Sequence, residues 1–182
     1  YGCSASAAVA VKVNPLPTVT VSSNSPVCVG GTIRLQATGG GTYLWKGPGG
    51  FTSTSPNPTR IAAANLAGTY TVTVTNITGC ALSSTTIVEV TALPIATIST
   101  NTDKTVVCGN TPLILSAPLQ NGATYQWKRA NTAVGSNTNT LSVTSGGVYK
   151  LQVTNASGCI NTDDISITTQ PALNAVAAHT IT

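Results

Sequence analysis

An internal repeat constrains the fold of this 182-residue chain more than any other feature. The segment "GTYTVTVTNITGC" at 68–80 returns as "GVYKLQVTNASGC" at 147–159. "TYLWK" at 42–46 returns as "TYQWK" at 124–128, and "SPVCVGGTIRL" at 25–35 matches "TVVCGNTPLIL" at 105–115. Segments that recur in one order, with a period of about 79 residues, predict one structural unit used more than once.

Prolines mark the joins between successive units, because Pro breaks a strand ladder and stiffens a short linker. We therefore predict one complete unit at 15–93 and a second at 94–171. Residues 1–14 read as the last strand of a preceding unit, and 172–182 as the first strand of a following one. We favour a window onto a longer tandem array. The alternative is an orphan terminal strand that completes a neighbouring molecule by strand addition.

Within a unit, apolar residues alternate with polar ones, as expected of strands with one buried face. Ile33, Leu35 and Ala37 share one face of such a strand. The other predicted inward sets are Tyr70, Val72 and Val74, then Leu113, Leu115 and Ala117, then Tyr149, Leu151 and Val153. About seven short strands per unit, separated by Gly, Pro and Asn turns, predict an all-β protein of antiparallel β-sandwiches.

Four aromatic residues carry a resemblance to the immunoglobulin-like (Ig-like) fold. Such domains have a core Trp on the third strand, matched by Trp45 and Trp127. They also have a corner Tyr near the start of the sixth strand, matched by Tyr70 and Tyr149. The resemblance implies tandem Ig-like sandwiches with these four side chains as structural core.

The usual pair of core cysteines is replaced by aliphatic residues, Ala37 with Val72 and Ala117 with Leu151. The longer pattern V-C-x-G…L-x-A…G-x-Y-x-W…G-x-Y-x-V-x-V-T-N-x-x-G-C resembles Ig-like or PKD-like repeats of large secreted surface proteins. These belong to Bacteroidetes-type bacteria and include gliding adhesins exported by the type IX system. The resemblance implies an extracellular, cell-surface location.

The five cysteines, in a chain without Met, suit an oxidising compartment. Cys80 follows Cys28 by 52 residues and Cys159 follows Cys108 by 51, which favours one bridge within each unit. Cys3 would then pair outside the chain. Bridges between units, Cys3–Cys28 and Cys80–Cys108, and free thiols remain open alternatives. In a standard Ig sandwich the paired positions lie at opposite ends, which argues against the within-unit bridges.

Composition argues against several other classes of function. The net charge is +4, but the basic residues are scattered, so we expect no nucleic-acid partner. No apolar run approaches the ~18 residues of a membrane helix, so we expect no membrane insertion. The acids are Glu89, Asp103, Asp163 and Asp164, and the one histidine, His179, lacks a triad motif. We expect no catalytic residue, metal site or cofactor.

The sequence thus predicts a non-catalytic repeat segment of the stalk or body of a cell-surface adhesin or filament. Its partners would be copies of itself or neighbouring repeats, because low charge opposes lateral packing little. The alternative is a carbohydrate- or protein-binding module that acts through end loops near 38–42, 47–58 and 76–79, or 118–124 and 130–139. Phe51 is the aromatic residue expected to be exposed there, whereas the indoles of Trp45 and Trp127 are expected in the core.

Overall fold

The computed structural model describes residues 2–109 and 111–171, which form two compact units with their boundary between Thr91 and Ala92. The sequence placed this join two residues later, at 93/94. Residues 2–13 are exposed, and residues 2–19 contain no strand. The strand predicted at 172–182, with His179, lies outside the described residues.

The first unit contains nine strands and one short 3-10 helix, at Ala64–Leu66. The strands are β1 (Thr20–Ser23), β2 (Val27–Cys28), β3 (Thr32–Thr38), β4 (Thr42–Gly47), β5 (Phe51–Ser53), β6 (Thr59–Ile61), β7 (Gly68–Thr75), β8 (Ala81–Val88) and β9 (Val90–Thr91). One sheet has the order β1-β3-β6 and the other β5-β4-β7-β8, with antiparallel neighbours throughout. The short strand β2 runs parallel to β9.

The second unit repeats this arrangement with eight strands. They are β10 (Ser99–Thr100), β11 (Val106–Cys108), β12 (Leu113–Ser116), β13 (Thr124–Arg129), β14 (Thr132–Val134), β15 (Thr140–Val143), β16 (Gly147–Thr154) and β17 (Ile160–Gln170). The sheets have the orders β10-β12-β15 and β11-β17-β16-β13-β14. Here β11 joins the larger sheet directly, because the long β17 provides its parallel partner.

This strand order defines each unit as an Ig-like sandwich. The first, third and sixth strands of the first unit form one sheet, and its fifth, fourth, seventh and eighth strands form the other. The predicted all-β class and tandem Ig-like sandwiches are confirmed. The prediction of purely antiparallel strands needs one correction. In each unit a short strand near the start runs parallel to the last strand.

Each unit has its own core, formed where the inward faces of its two sheets meet. Trp45 and Trp127 lie in these cores with exposures of 0% and 1%. Around Trp45 the core contains Ile33, Leu35, Ala37, Tyr70, Val72 and Val74, with further apolar residues. Around Trp127 it contains Leu113, Leu115, Ala117, Tyr149, Leu151 and Val153, with further apolar residues. The period-2 alternation therefore places these side chains inward.

A buried tyrosine hydroxyl fastens the same corner in both units. Tyr70 Oη donates to the Leu66 carbonyl at 2.9 Å, and Tyr149 Oη donates to the Ser145 carbonyl at 2.8 Å. Burial raises the pKa of the Tyr70 phenol above its usual value, while the positive charge of Arg60 opposes this shift. The hydrogen bond ties the strand that carries the tyrosine to the segment just before it.

The two corner tyrosines are covered differently. A Cβ at Gly47 would overlap the Tyr70 ring, so only glycine fits beside that ring. The Phe51 ring meets Tyr70 edge-on, with centroids 5.4 Å apart. In the second unit the guanidinium of Arg129 lies 5.7 Å from the Tyr149 ring centroid. An aromatic pair in one unit is thus replaced by a cation–π contact in the other.

We expect Tyr70→Phe and Tyr149→Phe each to lower the free energy of unfolding by about 1–3 kcal/mol, because a carbonyl loses its buried donor. Urea denaturation of the intact chain, followed by tryptophan fluorescence, measures this loss. Tyr43→Phe is the matched control, since Tyr43 is half-buried and no hydroxyl hydrogen bond is seen for it in the described part of the chain. Equal losses in all three variants would contradict the role of the corner bond.

The raised pKa of Tyr70 adds a pH dependence to this comparison. The unfolded phenol ionises near pH 10, before the folded one, so ionisation favours unfolding above that pH. The stabilisation is full below about pH 10 and falls as the pH rises through the higher folded value. Tyr70→Phe should therefore flatten the alkaline loss of stability, as measured by urea midpoints between about pH 9 and 12.

Candidate functional site: the two ends of each unit

The turn between β7 and β8 is closed by Asn76. Its backbone N–H donates to the Cys80 carbonyl at 2.9 Å, and the Gly79 N–H donates to the Asn76 carbonyl at 3.0 Å. Asn76 Oδ1 accepts from the N–H groups of Thr78 at 3.0 Å and Cys80 at 2.9 Å. Gly79 has φ +81°, a backbone conformation that favours glycine. The Asn-x-x-Gly-Cys segment is thus a side-chain-closed turn that fixes the position of Cys80.

The Asn76 side chain also holds the segment that enters the unit. Asn76 Nδ2 donates to the Pro15 carbonyl at 3.0 Å. The half-buried thiol of Cys80 lies 3.8 Å from the Asn14 carbonyl oxygen, within the range of a weak S–H donor. Cys80 therefore lies at the end where the chain enters the first unit, which we call the entry end.

The second unit builds its entry end with the same bonds. Asn155 Oδ1 accepts from the N–H groups of Ser157 at 3.1 Å and Cys159 at 2.9 Å. Asn155 Nδ2 donates to the Ala92 carbonyl at 3.1 Å. Cys159 therefore lies beside the segment that begins the second unit, as Cys80 does in the first. Asn76 and Asn155 therefore both use their Nδ2 atoms in structural hydrogen bonds.

The other two cysteines lie where the chain leaves each unit, which we call the exit end. Cys28 on β2 pairs with Thr91, and the next residue, Val29, donates its N–H to the Thr91 carbonyl at 2.9 Å. Cys108 on β11 pairs with Gln170, and the Gly109 N–H donates to the Gln170 carbonyl at 3.0 Å. Each unit thus has one cysteine at its entry end and one at its exit end.

The oxidation states correct the predicted pairing. Cys28 and Cys159 are disulfide-bonded, whereas Cys3, Cys80 and Cys108 carry free thiols. The bridges favoured by the spacing, Cys28–Cys80 and Cys108–Cys159, are not formed. Neither are the alternatives Cys3–Cys28 and Cys80–Cys108. A partner of Cys3 outside the chain stays a prediction.

Strand length explains why the bridges within each unit fail. Cys159 precedes β17, and Cys108 pairs with the last of its 11 residues. At ~3.3 Å per residue, positions 159 and 170 are roughly 36 Å apart. Cys80 and Cys28 are separated in the same way along β8 and β9. A disulfide requires Cα atoms within about 7 Å, so the two cysteines of one unit cannot meet.

The aromatic candidates for ligand contact are used in packing. The indoles of Trp45 and Trp127 are buried, so neither ring is available to stack on a sugar. Phe51 is half-buried against the core and lies under the guanidinium of Arg60 at 5.7 Å from its ring centroid. The expectation of an exposed Phe51 ring is therefore wrong, because the ring is needed to cover Tyr70.

An open groove of about 420 Å³ lies on the first unit, beside the strands of the β1-β3-β6 sheet. It is lined by Ser22, Ser23, Asn24, Arg34, Leu35, Gln36, Asn57 and Thr59. Asn24 is already bonded within the unit, through Oδ1 to the Arg34 N–H and through Nδ2 to the Thr32 carbonyl. The groove offers amide, hydroxyl and guanidinium groups but no aromatic platform.

The acidic pair on β17 has a structural use. Asp163 Oδ2 accepts the Ile98 N–H at 2.8 Å and so fastens the first strand segment of the second unit, while Asp164 is exposed. Within residues 2–109 and 111–171, no group of three His, Cys, Asp or Glu side chains is arranged to hold a metal ion. No helix in the described part of the chain is long and apolar enough to span a bilayer.

Sequence reasoning identified the Asn-to-Gly turns but missed what the asparagine side chains bind. Asn76 and Asn155 each hold the extended segment that begins their own unit. The available signal was the constant distance, in both repeats, from Asn to the following Cys. The partner carbonyls lie about 60 residues away in sequence, so the pattern alone could not reveal them.

No family model matches this sequence, and no curated protein matches it. Solved structures that are similar include murine CEACAM1b, at 14% identity and TM-score 0.40, covering 84% of this chain and 100% of that one. Drosophila OTK extracellular domains 3–5 match at 13% identity and TM-score 0.46, covering 83% of this chain and 62% of that one. An I-band fragment from titin matches at 14% identity and TM-score 0.47, covering 87% and 67%. The Ig-like assignment rests on the strand order and core of each unit.

We expect Asn76→Ala to speed hydrogen exchange at the Thr78 and Cys80 amides by at least tenfold, because both lose their acceptor, a loss of about 1.4 kcal/mol or more. Asn76→Asp is the matched control, since it keeps an acceptor oxygen and removes only the donor to the Pro15 carbonyl. It should retain protection of those amides. Unchanged exchange in the alanine variant would show that the backbone closes the turn alone.

Proposed function

We propose that this chain is a non-catalytic segment of an extracellular repeat protein and forms part of the stalk or body of a cell-surface adhesin or filament. The carrying observation is that both units build the same two ends. At each entry end an asparagine amide holds the incoming segment, and at each exit end a short strand pairs with the outgoing one. A linear series of units needs such recurring ends.

The presence of a separate core in each unit supports this role as a repeat segment. Each unit encloses its own tryptophan, corner tyrosine and aliphatic set. Units with separate cores can be added to a series without new packing inside each one, as in other tandem arrays. The domain boundaries 15–93 and 94–171, with partial units at 1–14 and 172–182, remain part of this proposal.

The surface chemistry is consistent with contact between copies. Only 7% of residues are charged, so lateral approach of identical chains meets little like-charge repulsion. The disulfide-bonded state of Cys28 and Cys159 favours an oxidising, extracellular setting. Both features agree with the resemblance to secreted surface repeats of Bacteroidetes-type bacteria.

A second candidate function is a binding module for a glycan or protein. The open groove of the first unit favours it, because the guanidinium of Arg34 and the amides of Gln36 and Asn57 can bond to hydroxyl groups. Glycan-array binding by the full chain, abolished by Arg34→Ala, would support this candidate.

Immunogold electron microscopy of cells that produce the protein tests the first proposal. An antibody against this chain should label extended structures outside the cell, spaced along their length, because the segment forms the body of the structure. Label confined to the outer tips would instead favour the binding module. Label inside the cell would overturn both. Antibody preabsorbed with the purified chain is the control for nonspecific labelling.

A further inference from the structure

Folding places two of the eight basic residues of this chain side by side on the second unit. Lys128 on β13 lies directly opposite Lys150 on the neighbouring strand β16. Residues paired in this way have Cβ atoms about 4.5–5.5 Å apart, and like charges at such a distance destabilise a sheet. An anion bound between the two ammonium groups would remove this repulsion.

The first unit builds the same part of its sheet without the lysine pair. In the repeat, Lys46 corresponds to Lys128, and Thr71 corresponds to Lys150. Lys46 pairs with Thr71, so the first unit has one positive charge where the second has two. The sandwich therefore does not require the second lysine, and the pair is a particular feature of the second unit.

A groove of about 320 Å³ is lined by both lysines, and we call it the lysine groove. Its lining residues are Lys128, Ala130, Asn131, Val148, Lys150 and Asp164. Val148 is 53% exposed, and Ala130 is exposed in the two-residue turn between β13 and β14. The lysine groove thus combines two ammonium groups, one carboxylate and one amide with a small apolar surface.

Asp164 restricts the kind of ligand that the lysine groove can accept. This exposed residue on β17 lies opposite Lys150 in the sheet register. An ionised carboxylate only accepts hydrogen bonds, so it requires hydroxyl or N–H donors from a ligand. It also repels closely spaced phosphate groups, which disfavours nucleic acid or an anionic membrane surface. A ligand with isolated negative groups and many hydroxyl groups fits both signs of charge.

We propose that the lysine groove binds an acidic carbohydrate. The carboxylate or sulfate group of a sugar lies between Lys128 and Lys150, and sugar hydroxyl groups donate to Asp164. The Asn131 amide bonds to a further hydroxyl group, and Val148 packs against the C–H face of the sugar ring. The inference goes beyond the proposed stalk, which needs no ligand. It also assigns a site on a different unit from the open groove lined by β1, β3 and β6.

The test measures binding to the full chain by isothermal titration calorimetry at about 0.15 M salt, where charges more than about 8 Å apart are largely screened. The probes are short oligomers of galacturonic acid, of sulfated galactose and of neutral galactose. We expect binding of an acidic oligomer and no binding of the neutral one. The two acidic probes distinguish a carboxylate ligand from a sulfate ligand.

The first unit provides a matched control for the variants. Lys150→Thr gives the second unit the residue type that the first has at Thr71, and should weaken binding at least about tenfold, because a charged hydrogen-bond donor is lost. Lys46→Thr removes the same charge from the corresponding position of the first unit and should leave the affinity unchanged. Asp164→Ala should weaken binding, because a sugar hydroxyl loses a charged acceptor.

Equal losses of affinity in Lys150→Thr and Lys46→Thr would overturn the proposal, since they would show attraction to net charge alone. Tighter binding by Asp164→Ala would also overturn it, as would single-stranded DNA that binds as tightly as the acidic oligomer. A chain that shows buried-tryptophan emission but binds neither acidic oligomer would overturn it too. None of these results alters the immunogold outcome, so failure of this inference is distinguishable from failure of the proposed function.

Discussion

The length of the strand run that ends each unit, β8 followed by β9 in the first and β17 in the second, determines where the cysteines of this chain can lie. A β-strand is stiff and nearly straight, so residues at its two ends cannot approach each other while it remains paired. Cys159 and Cys108 border opposite ends of β17, and Cys80 and Cys28 border opposite ends of β8 and β9. Each sandwich therefore presents one cysteine at each end, and bonding between them is geometrically excluded.

In Ig-like domains a disulfide between the two sheets is usually part of the core. In this chain the cysteines lie at the ends of each unit instead. The position between the sheets is occupied by aliphatic side chains, Ala37 with Val72 and Ala117 with Leu151, all buried. Tryptophan and the tyrosine corner complete that interior. Because the core needs no cross-link, the cysteines of each unit can lie at its ends and not between its sheets.

Much of the fold could be predicted from local pattern. Alternation placed Ile33, Leu35 and Ala37 on an inward face, and the repeated Trp and Tyr marked the third and sixth strands of a sandwich. The parallel pairs Cys28 with Thr91 and Cys108 with Gln170 could not be predicted, because they join residues more than 60 positions apart. Phe51 and Arg129 show the same limit, since each covers a tyrosine that only the folded sheet brings near.

The cysteine spacing misled for a physical reason. A nearly constant separation of 52 and 51 residues follows from the repeat itself, because any two positions in a repeated unit keep their distance in sequence. The spacing therefore carried no information about bonding. In a standard Ig sandwich the two cysteine positions of one unit lie at opposite ends. This geometric argument correctly excludes the bridges within each unit, because it follows from strand length.

The disulfide map of the unreduced chain tests the central claim most directly. The free thiols are first blocked with an alkylating reagent, and the protein is then digested and analysed by mass spectrometry. We predict that peptides with Cys80 and Cys108 carry the alkyl group, while Cys28 and Cys159 are recovered in disulfide-linked peptides without it. Recovery of Cys28 joined to Cys80, or of Cys108 joined to Cys159, would contradict the separation of the two ends.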